Sequence, residues 1–286
     1  MSGPAGERAP IKAWGFVAPA LGWTAAFFVV PLAVMLAVSF MQRRGGALVA
    51  DWSLGNYAKF FQRGHFLEAM LNSLEVTLLV TVLSVLLAYP FAWFIAEKIP
   101  ARWQRLALAL AILPFWTSYV VRSYAWLLVL SKNGIINGAL MGSGLIAAPL
   151  DLANTRFATV LGFVHFFVML LTLTIYANLV QLPKSYRLAA ADLGAGPLRI
   201  FIHIILPLTL PGIMVGAFLT FVVCIGDYIT PQILGGNNEL LMPQVIMLQI
   251  GRRADFPTAS ALSILLMAVV SLTYLAAARW LKLERT

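Results

Sequence analysis

The stretch that decides how this chain is organised is residues 182–207, which read LPKSYRLAAADLGAGPLRIFIHIILP. It joins two long apolar segments with more than twenty residues, although a handful would be enough to return a helix. Proline and serine near its beginning start a helix, and a Gly-Ala-Gly-Pro run breaks one. The pattern predicts, in chain order, a helix start, a helical run, a tight turn and a second helical run: Pro183, Tyr186–Leu193, Gly194–Pro197 and Leu198–Ile205.

The first of these predicted helices carries a patch of alanines. Small side chains let the backbone of another element approach closely, and a free surface loop has no use for such a patch. We therefore infer that the connection is a docking element on the cytoplasmic face. Its small residues are Ala189, Ala190, Ala191 and Ala195.

The composition of the chain is that of a membrane protein. Of its 286 residues, 61% are hydrophobic and 11% are charged, whereas a soluble domain has about 45–50% apolar residues. This composition argues against a soluble globular enzyme. The net charge of +9 suits loops held against anionic lipid better than nucleic-acid binding. The single cysteine, Cys224, allows no disulfide within the chain.

Six apolar blocks predict an all-α polytopic membrane protein with both termini on one side, since about 20 apolar residues cross a bilayer. Lys and Arg number eleven on the side of the termini and eight on the other side. The positive-inside rule then favours cytoplasmic termini. The predicted transmembrane helices are Trp14–Phe40, Leu71–Ala96, Arg105–Leu130, Phe157–Gln181, Leu206–Ile229 and Phe256–Ala278.

The connection between the fourth and fifth helices resembles the signature of ABC-importer permeases of the type I, binding-protein-dependent class. In that signature, Glu-Ala-Ala, three residues, Gly, nine residues and Ile-x-Leu-Pro form the coupling helices that sit in a cleft of the ATPase subunit. Leu188 stands where the family usually has its Glu. The polar contact of that Glu is then left to Arg187, to Asp192, or to no residue. The resemblance implies that the ATPase-coupling residues are Arg187, Ala189, Ala190, Asp192, Gly194, Ala195, Gly196, Leu206 and Pro207.

Three further stretches look like the spermidine/putrescine branch of these permeases. The resemblance implies a small organic cation as substrate, most simply a polyamine, with an opine, a phosphonate or another small solute as the alternative. The matching stretches are Asn72–Leu74 with Tyr89 and Pro90, Pro114–Trp126, and Gly226–Gly236.

Four ionisable residues lie inside predicted spans, where such side chains are costly and mark functional sites. They are Glu75, Arg122, His165 and Asp227. One interpretation is that Arg122 pairs with Glu75 or Asp227 and that this pairing explains their presence. The other is that the two acids leave the outer vestibule negative and guide a cation into the pathway. We interpret His165 as a hydrogen-bonded core residue rather than a proton relay.

Aromatic residues near these charges would suit a cationic substrate through cation–π contacts. On a helix they more often pack against lipid or other helices, so this role is a hypothesis. The predicted pathway residues are Glu75, Trp116, Tyr119, Arg122, Tyr124, Trp126, Asp227 and Tyr228.

The chain contains no Gly-x4-Gly-Lys-Ser/Thr phosphate loop and no catalytic signature, which indicates a transport subunit rather than an enzyme. We expect no cofactor in this chain, because ATP and Mg²⁺ would be bound by partner ATPase subunits. The resemblance implies two such subunits, a second permease subunit that is a paralogue, and a periplasmic substrate-binding protein. Alternatives from other classes are a secondary ion-coupled transporter and a membrane scaffold.

The resemblance also implies that the protein lies in the bacterial inner membrane and that the chain has four parts. The expected parts are a cytoplasmic tail (1–13), the first transmembrane helix with its outer loop (14–68), the permease core (69–279) with the coupling loop 182–205, and a second cytoplasmic tail (280–286).

Overall fold

A computed structural model describes residues 9–236 and 239–283 of the chain. Much of the predicted N-terminal tail (1–8) and the end of the C-terminal tail (284–286) therefore lie outside the described residues. The described residues form two compact units. One contains residues up to Gly64 together with Ile246–Ala268, and the other contains His65–Val245 together with the residues from Val269 onward.

The first unit begins with an apolar helix that is interrupted by one wide π-helical turn. A short antiparallel hairpin follows, in which Arg43 pairs with Leu48. The Asn56 amide then donates hydrogen bonds to the carbonyl oxygens of Ser39 (2.9 Å) and Met41 (2.7 Å), which fixes the hairpin's entry. The elements up to this point are α1 (Ala9–Thr24), the π turn (Ala25–Val29), α2 (Val30–Ser39), β1 (Gln42–Arg44), β2 (Ala47–Val49) and α3 (Gly55–Gln62).

The remaining elements are helical. They are α4 (Gly64–Lys98), α5 (Ala101–Ile112), a 3₁₀ turn (Leu113–Trp116), α6 (Tyr119–Leu130), α7 (Ile135–Gly142), α8 (Arg156–Gln181), α9 (Lys184–Asp192), α10 (Pro197–Ile200), a second π turn (Phe201–Ile205), α11 (Leu206–Gly226), α12 (Ile229–Leu234), α13 (Met242–Gly251) and α14 (Phe256–Leu283).

The predicted all-α membrane architecture is confirmed. Within the described residues, five helices are long and apolar enough to cross a membrane, or six if one bent pair counts as a span. The five are Val17–Ser39, Gly64–Lys98, Arg156–Gln181, Pro197–Gly226 and Phe256–Ala276.

The third predicted span, Arg105–Leu130, is not the continuous helix that its hydropathy indicates. The helices on either side of residues 117–118 are bent by 87°. Pro114 lacks the N–H that the preceding turn needs, and Thr117 and Ser118 adopt extended conformations with ψ of 149° and 132°. The span is therefore broken, with a 3₁₀ turn on its first side.

The second predicted helix of the docking connection, Leu198–Ile205, is not a separate helix. It is the beginning of the fifth span, which runs without interruption from Pro197 to Gly226. The π turn Phe201–Ile205 lies directly before Pro207, and the backbone N–H of Leu206 bonds to the carbonyl of Phe201. This wider turn accommodates the proline ring, which would clash with a carbonyl in a regular α-helix. The same arrangement precedes Pro31.

Helix α8 is the centre of the second unit, because more than half of its most apolar stretch is buried. The fifth span packs closely on it through two glycines spaced by four residues. A Cβ atom on Gly216 would lie 2.8 Å from Leu171 Cδ2, and one on Gly212 would collide with the Asn178 side chain. The spacing Gly212-x-x-x-Gly216 therefore serves packing between helices of the same chain.

Candidate functional site: a docking loop and an outer vestibule

The docking loop consists of helix α9 and a turn that returns the chain into the fifth span. Gly194 adopts a left-handed conformation, with φ of +81°, that favours glycine. The Gly194 N–H bonds to the carbonyl of Ala191, and the Ala195 N–H bonds to the carbonyl of Ala190, which satisfies the carbonyls at the end of α9. The Asp-Leu-Gly-Ala sequence thus produces a tight, hydrogen-bonded helix end.

Large apolar side chains project from this loop. Leu193, at the tip of the loop, has 88% of its surface exposed. We call this set the coupling surface, and it consists of Tyr186, Leu188 and Leu193, all of which are exposed. A polar loop that presents leucines at its tip is typical of a surface that another protein covers.

The predicted ATPase-coupling residues of the loop differ in their exposure. Ala189, Asp192, Gly194 and Gly196 are exposed, whereas Ala190 is buried and Ala195 is partly buried. Ala190 therefore packs inside the chain and is not part of the free surface. Leu206 and Pro207 lie within the fifth span, about 14 Å along the helix from Pro197, so the structure does not bring them to the coupling surface.

Arg187 is not available to replace the missing Glu of the signature. Its guanidinium forms an ion pair with Glu97 near the end of α4, and both side chains are largely shielded from solvent. This pair ties the docking loop to the end of the second span. Among the residues that the structure describes, Asp192 forms no ion pair, so it is the polar group that remains for a partner.

At the broken third span, Arg122 binds backbone oxygens. Its Nη2 atom donates hydrogen bonds to the carbonyls of Pro114 (2.5 Å) and Thr117 (3.0 Å), which lie at the break. The side chain is buried against Phe166. In the described part of the chain Arg122 forms no ion pair, so the prediction that it pairs with Glu75 or Asp227 is wrong.

Asp227 lies where α11 ends and α12 begins, and it is bound by neutral donors. The Tyr119 hydroxyl donates to Oδ2 (2.7 Å), and the backbone N–H groups of Ile229 (3.2 Å) and Thr230 (3.1 Å) donate to the carboxylate. No cation lies within ion-pair distance among the described residues. The carboxylate therefore has hydrogen-bond donors but no ion-pair partner beside the break of the third span.

Glu75 belongs to a separate cluster. Arg156 Nη2 lies 2.7 Å from Glu75 Oε2, and Arg156 Nη1 lies 3.9 Å from Glu239 Oε2. The structure thus does not gather Glu75 and Asp227 with Arg122 into one three-charge site. Sequence reasoning missed Arg156 as the partner. The sequence did offer one indication of this pair. Arg156 is the first residue of α8, and it lies near the same predicted membrane face as Glu75.

The five predicted aromatic residues differ in their exposure and in their contacts. Trp116 and Tyr124 are exposed and Tyr228 is half-buried. Trp126 instead donates from Nε1 to Nδ1 of His165 (2.8 Å), which confirms His165 as a hydrogen-bonded interior residue. Tyr119 packs edge-on against Phe166, with ring centroids 4.9 Å apart. Trp116, Tyr119, Tyr124 and Tyr228 therefore remain candidates, and Phe166 is a packing partner that the sequence did not indicate.

The described residues thus combine apolar helices long enough to cross a membrane, a broken third span and an exposed apolar loop between the fourth and fifth spans. The chain belongs to the family described as binding-protein-dependent transport system inner membrane component, whose model matches residues 10–283. This confirms the resemblance carried by residues 182–207. The protein is thus a membrane-embedded transport subunit rather than an enzyme.

Individual relatives support the same assignment. Over 256 residues, the chain is 35% identical to the spermidine/putrescine transport system permease protein PotB of Escherichia coli (strain K12), covering 89% of this chain and 92% of PotB. The identity is also 35% with PotB of Salmonella typhimurium (strain SL1344), covering 89% and 88%. A solved bacterial alginate ABC transporter, in complex with its alginate pentasaccharide-bound periplasmic protein, matches with a TM-score of 0.77 at 17% identity, covering 93% and 92%.

Proposed function

We propose that this chain is one permease subunit of an ATP-driven importer of a polyamine such as spermidine or putrescine. The proposal rests on the similarity to the spermidine/putrescine permeases over 89% of the chain. The fold alone does not set the charge of the substrate, since the alginate transporter named above carries an acidic polymer on a similar fold.

The observation that favours a cation is the unpaired carboxylate of Asp227. Glu75 is paired with Arg156, and Arg122 is occupied by backbone carbonyls, so Asp227 is the predicted pathway acid without an ion-pair partner among the described residues. We place this carboxylate at the outer entrance, where it attracts ammonium groups. The exposed Trp116 and Tyr124 rings supply cation–π contacts to the same groups.

The remaining parts of the importer are supplied by other chains. Two ATPase subunits bind ATP and Mg²⁺ and contact the coupling surface, and this chain itself holds no cofactor. A second permease subunit, a paralogue, completes the pathway, and a periplasmic binding protein delivers the substrate. In this arrangement both termini and α9 lie in the cytoplasm, and the bent third span lies towards the periplasm.

We expect Asp227→Asn to reduce spermidine uptake about tenfold or more at low substrate concentration. A hydrogen bond to a charged group contributes about 1.5–3 kcal/mol, and each 1.4 kcal/mol corresponds to about a tenfold change in binding. Asn caps a helix about as well as Asp, so the substitution removes the charge while retaining the start of α12. The measurement is ATP-driven uptake of labelled spermidine by the complete importer in proteoliposomes.

Asp255→Asn is the matched control, because Asp255 caps α14 in the same way. Its carboxylate accepts hydrogen bonds from the Thr258 N–H (3.2 Å) and hydroxyl (2.8 Å). This variant should transport normally. Equal uptake by both variants would remove Asp227 from the pathway, and ATP-driven import of an uncharged or anionic solute in place of spermidine would overturn the polyamine assignment.

A further inference from the structure

An open groove lies beside the docking loop, between the second half of α4 and the beginning of the fifth span. It has a cavity volume of about 360 Å³, within the range of roughly 300–1,000 Å³ found for ligand pockets. Its walls are almost entirely apolar and are formed by Tyr89, Pro90, Trp93, Pro197, Leu198 and Phe201. We call it the α4–α10 groove.

The groove is held open by rigid residues. The Phe201 ring packs edge-on against Tyr89 and Trp93, with centroid distances of 5.7 Å and 6.2 Å. Two prolines restrict the backbone on its two sides. Leu198 remains 71% exposed at its mouth. These contacts shape a cavity that no side chain of the described residues fills.

Two cationic side chains flank the groove. The Lys98 ammonium lies 5.7 Å from the centroid of the Trp93 ring, and Arg199 lines an adjoining hollow that shares Pro197 and Leu198 with the groove. Neither forms an ion pair within residues 9–236 and 239–283. Lys98 therefore borders the groove on its α4 side and Arg199 on its α10 side, and cationic side chains beside an apolar surface attract anionic lipid headgroups.

We propose that the α4–α10 groove binds one acyl chain of an anionic phospholipid of the cytoplasmic leaflet, with Lys98 and Arg199 contacting its phosphate. The groove belongs to the lateral surface of two spanning helices, where neighbouring α4 residues such as Phe91 and Phe94 are also exposed. A soluble partner docked there would leave the apolar wall against a polar surface. An acyl chain fills it without requiring hydrogen bonds.

The test measures lipid retention by the importer complex, purified with its companion subunits from vesicles of equimolar phosphatidylglycerol and phosphatidylcholine. Native mass spectrometry counts the lipids that remain bound. Leu198→Trp fills the mouth of the groove and is expected to remove at least one phosphatidylglycerol per complex. Leu86→Trp is the matched control, because Leu86 is a similarly exposed leucine (62%) on α4 outside the groove.

A double variant, Lys98→Gln with Arg199→Gln, tests the charge. It should retain lipid but lose the preference for phosphatidylglycerol over phosphatidylcholine. Equal lipid retention by Leu198→Trp and Leu86→Trp would overturn the proposal, as would loss of the ATPase from Leu198→Trp with unchanged lipid, because a protein partner would then cover the groove. Lipid retention is measured without substrate, so its outcome is independent of the polyamine assignment.

Discussion

The Leu193→Asp variant is expected to lose its ATPase subunits on purification while the chain itself still folds. Leu193 is 88% exposed in the isolated chain, so an acidic side chain is tolerated there before assembly. We propose that the ATPase buries the same position in the assembled importer. Burying a leucine contributes about 1.5–3 kcal/mol, and an unpaired carboxylate in its place costs considerably more. We expect ATPase retention to fall at least about a hundredfold.

The measurement is the amount of ATPase that co-purifies with the tagged chain, together with uptake in proteoliposomes. Leu145→Asp is the matched control, since Leu145 is 74% exposed in the connection that we place on the opposite membrane face. That variant should keep the ATPase. Full retention of the ATPase by Leu193→Asp, with normal uptake, would show that the tip of the docking loop is not a contact.

The Arg122→Gln variant is expected to reduce uptake to the background level while the complex still assembles. Arg122 is 92% buried and satisfies the carbonyls of Pro114 and Thr117. A hydrogen bond to a charged group contributes about 1.5–3 kcal/mol, and the substitution removes the two that tie α6 to the break. Without this guanidinium the bend of the third span should relax, and the Tyr119 hydroxyl would lose its place beside Asp227.

Two companion variants separate this positioning role from a general loss of stability. Arg122→Lys should restore part of the uptake, because one ammonium group can donate to a carbonyl as Nη2 does, but it lacks the Nε donor that reaches the Thr117 hydroxyl. Arg44→Gln breaks an exposed ion pair with Asp51 and should have little effect. If Arg122→Gln transported at the normal rate, the guanidinium would have no role in holding the vestibule.

The apolar blocks predicted the spanning helices, because whether a segment can cross a bilayer depends on the hydrophobic content of the whole segment and not on individual contacts. The register of residues 182–207 likewise predicted the docking loop, since Gly194 must adopt a positive φ to end α9. The continuation of Leu198–Ile205 into the fifth span was missed. The Gly196-Pro197 break indicates where this helix begins. Whether the helix continues past Pro207 depends on the π turn that accommodates the proline ring, and the sequence pattern did not indicate that turn.

The site was harder to predict because its partners come from different helices. Pro114 indicated a disturbance in the third span, but the 87° bend and its stabilisation by Arg122 depend on side-chain reach that spacing alone does not reveal. The pairing of Glu75 with Arg156 requires α4 and α8 to be neighbours. Once that pair is known, Asp227 is left as the predicted pathway acid without an ion-pair partner among the described residues.

The most direct test of the account is site-specific photocrosslinking from position 193 in native membranes. A benzophenone amino acid replaces Leu193, and the crosslinked partner is identified by mass spectrometry. We predict a crosslink to the ATPase subunit, and none when the same group replaces Leu145. A crosslink from position 193 to lipid or to a periplasmic protein, with no ATPase attached, would contradict the claim that this loop couples the chain to ATP hydrolysis.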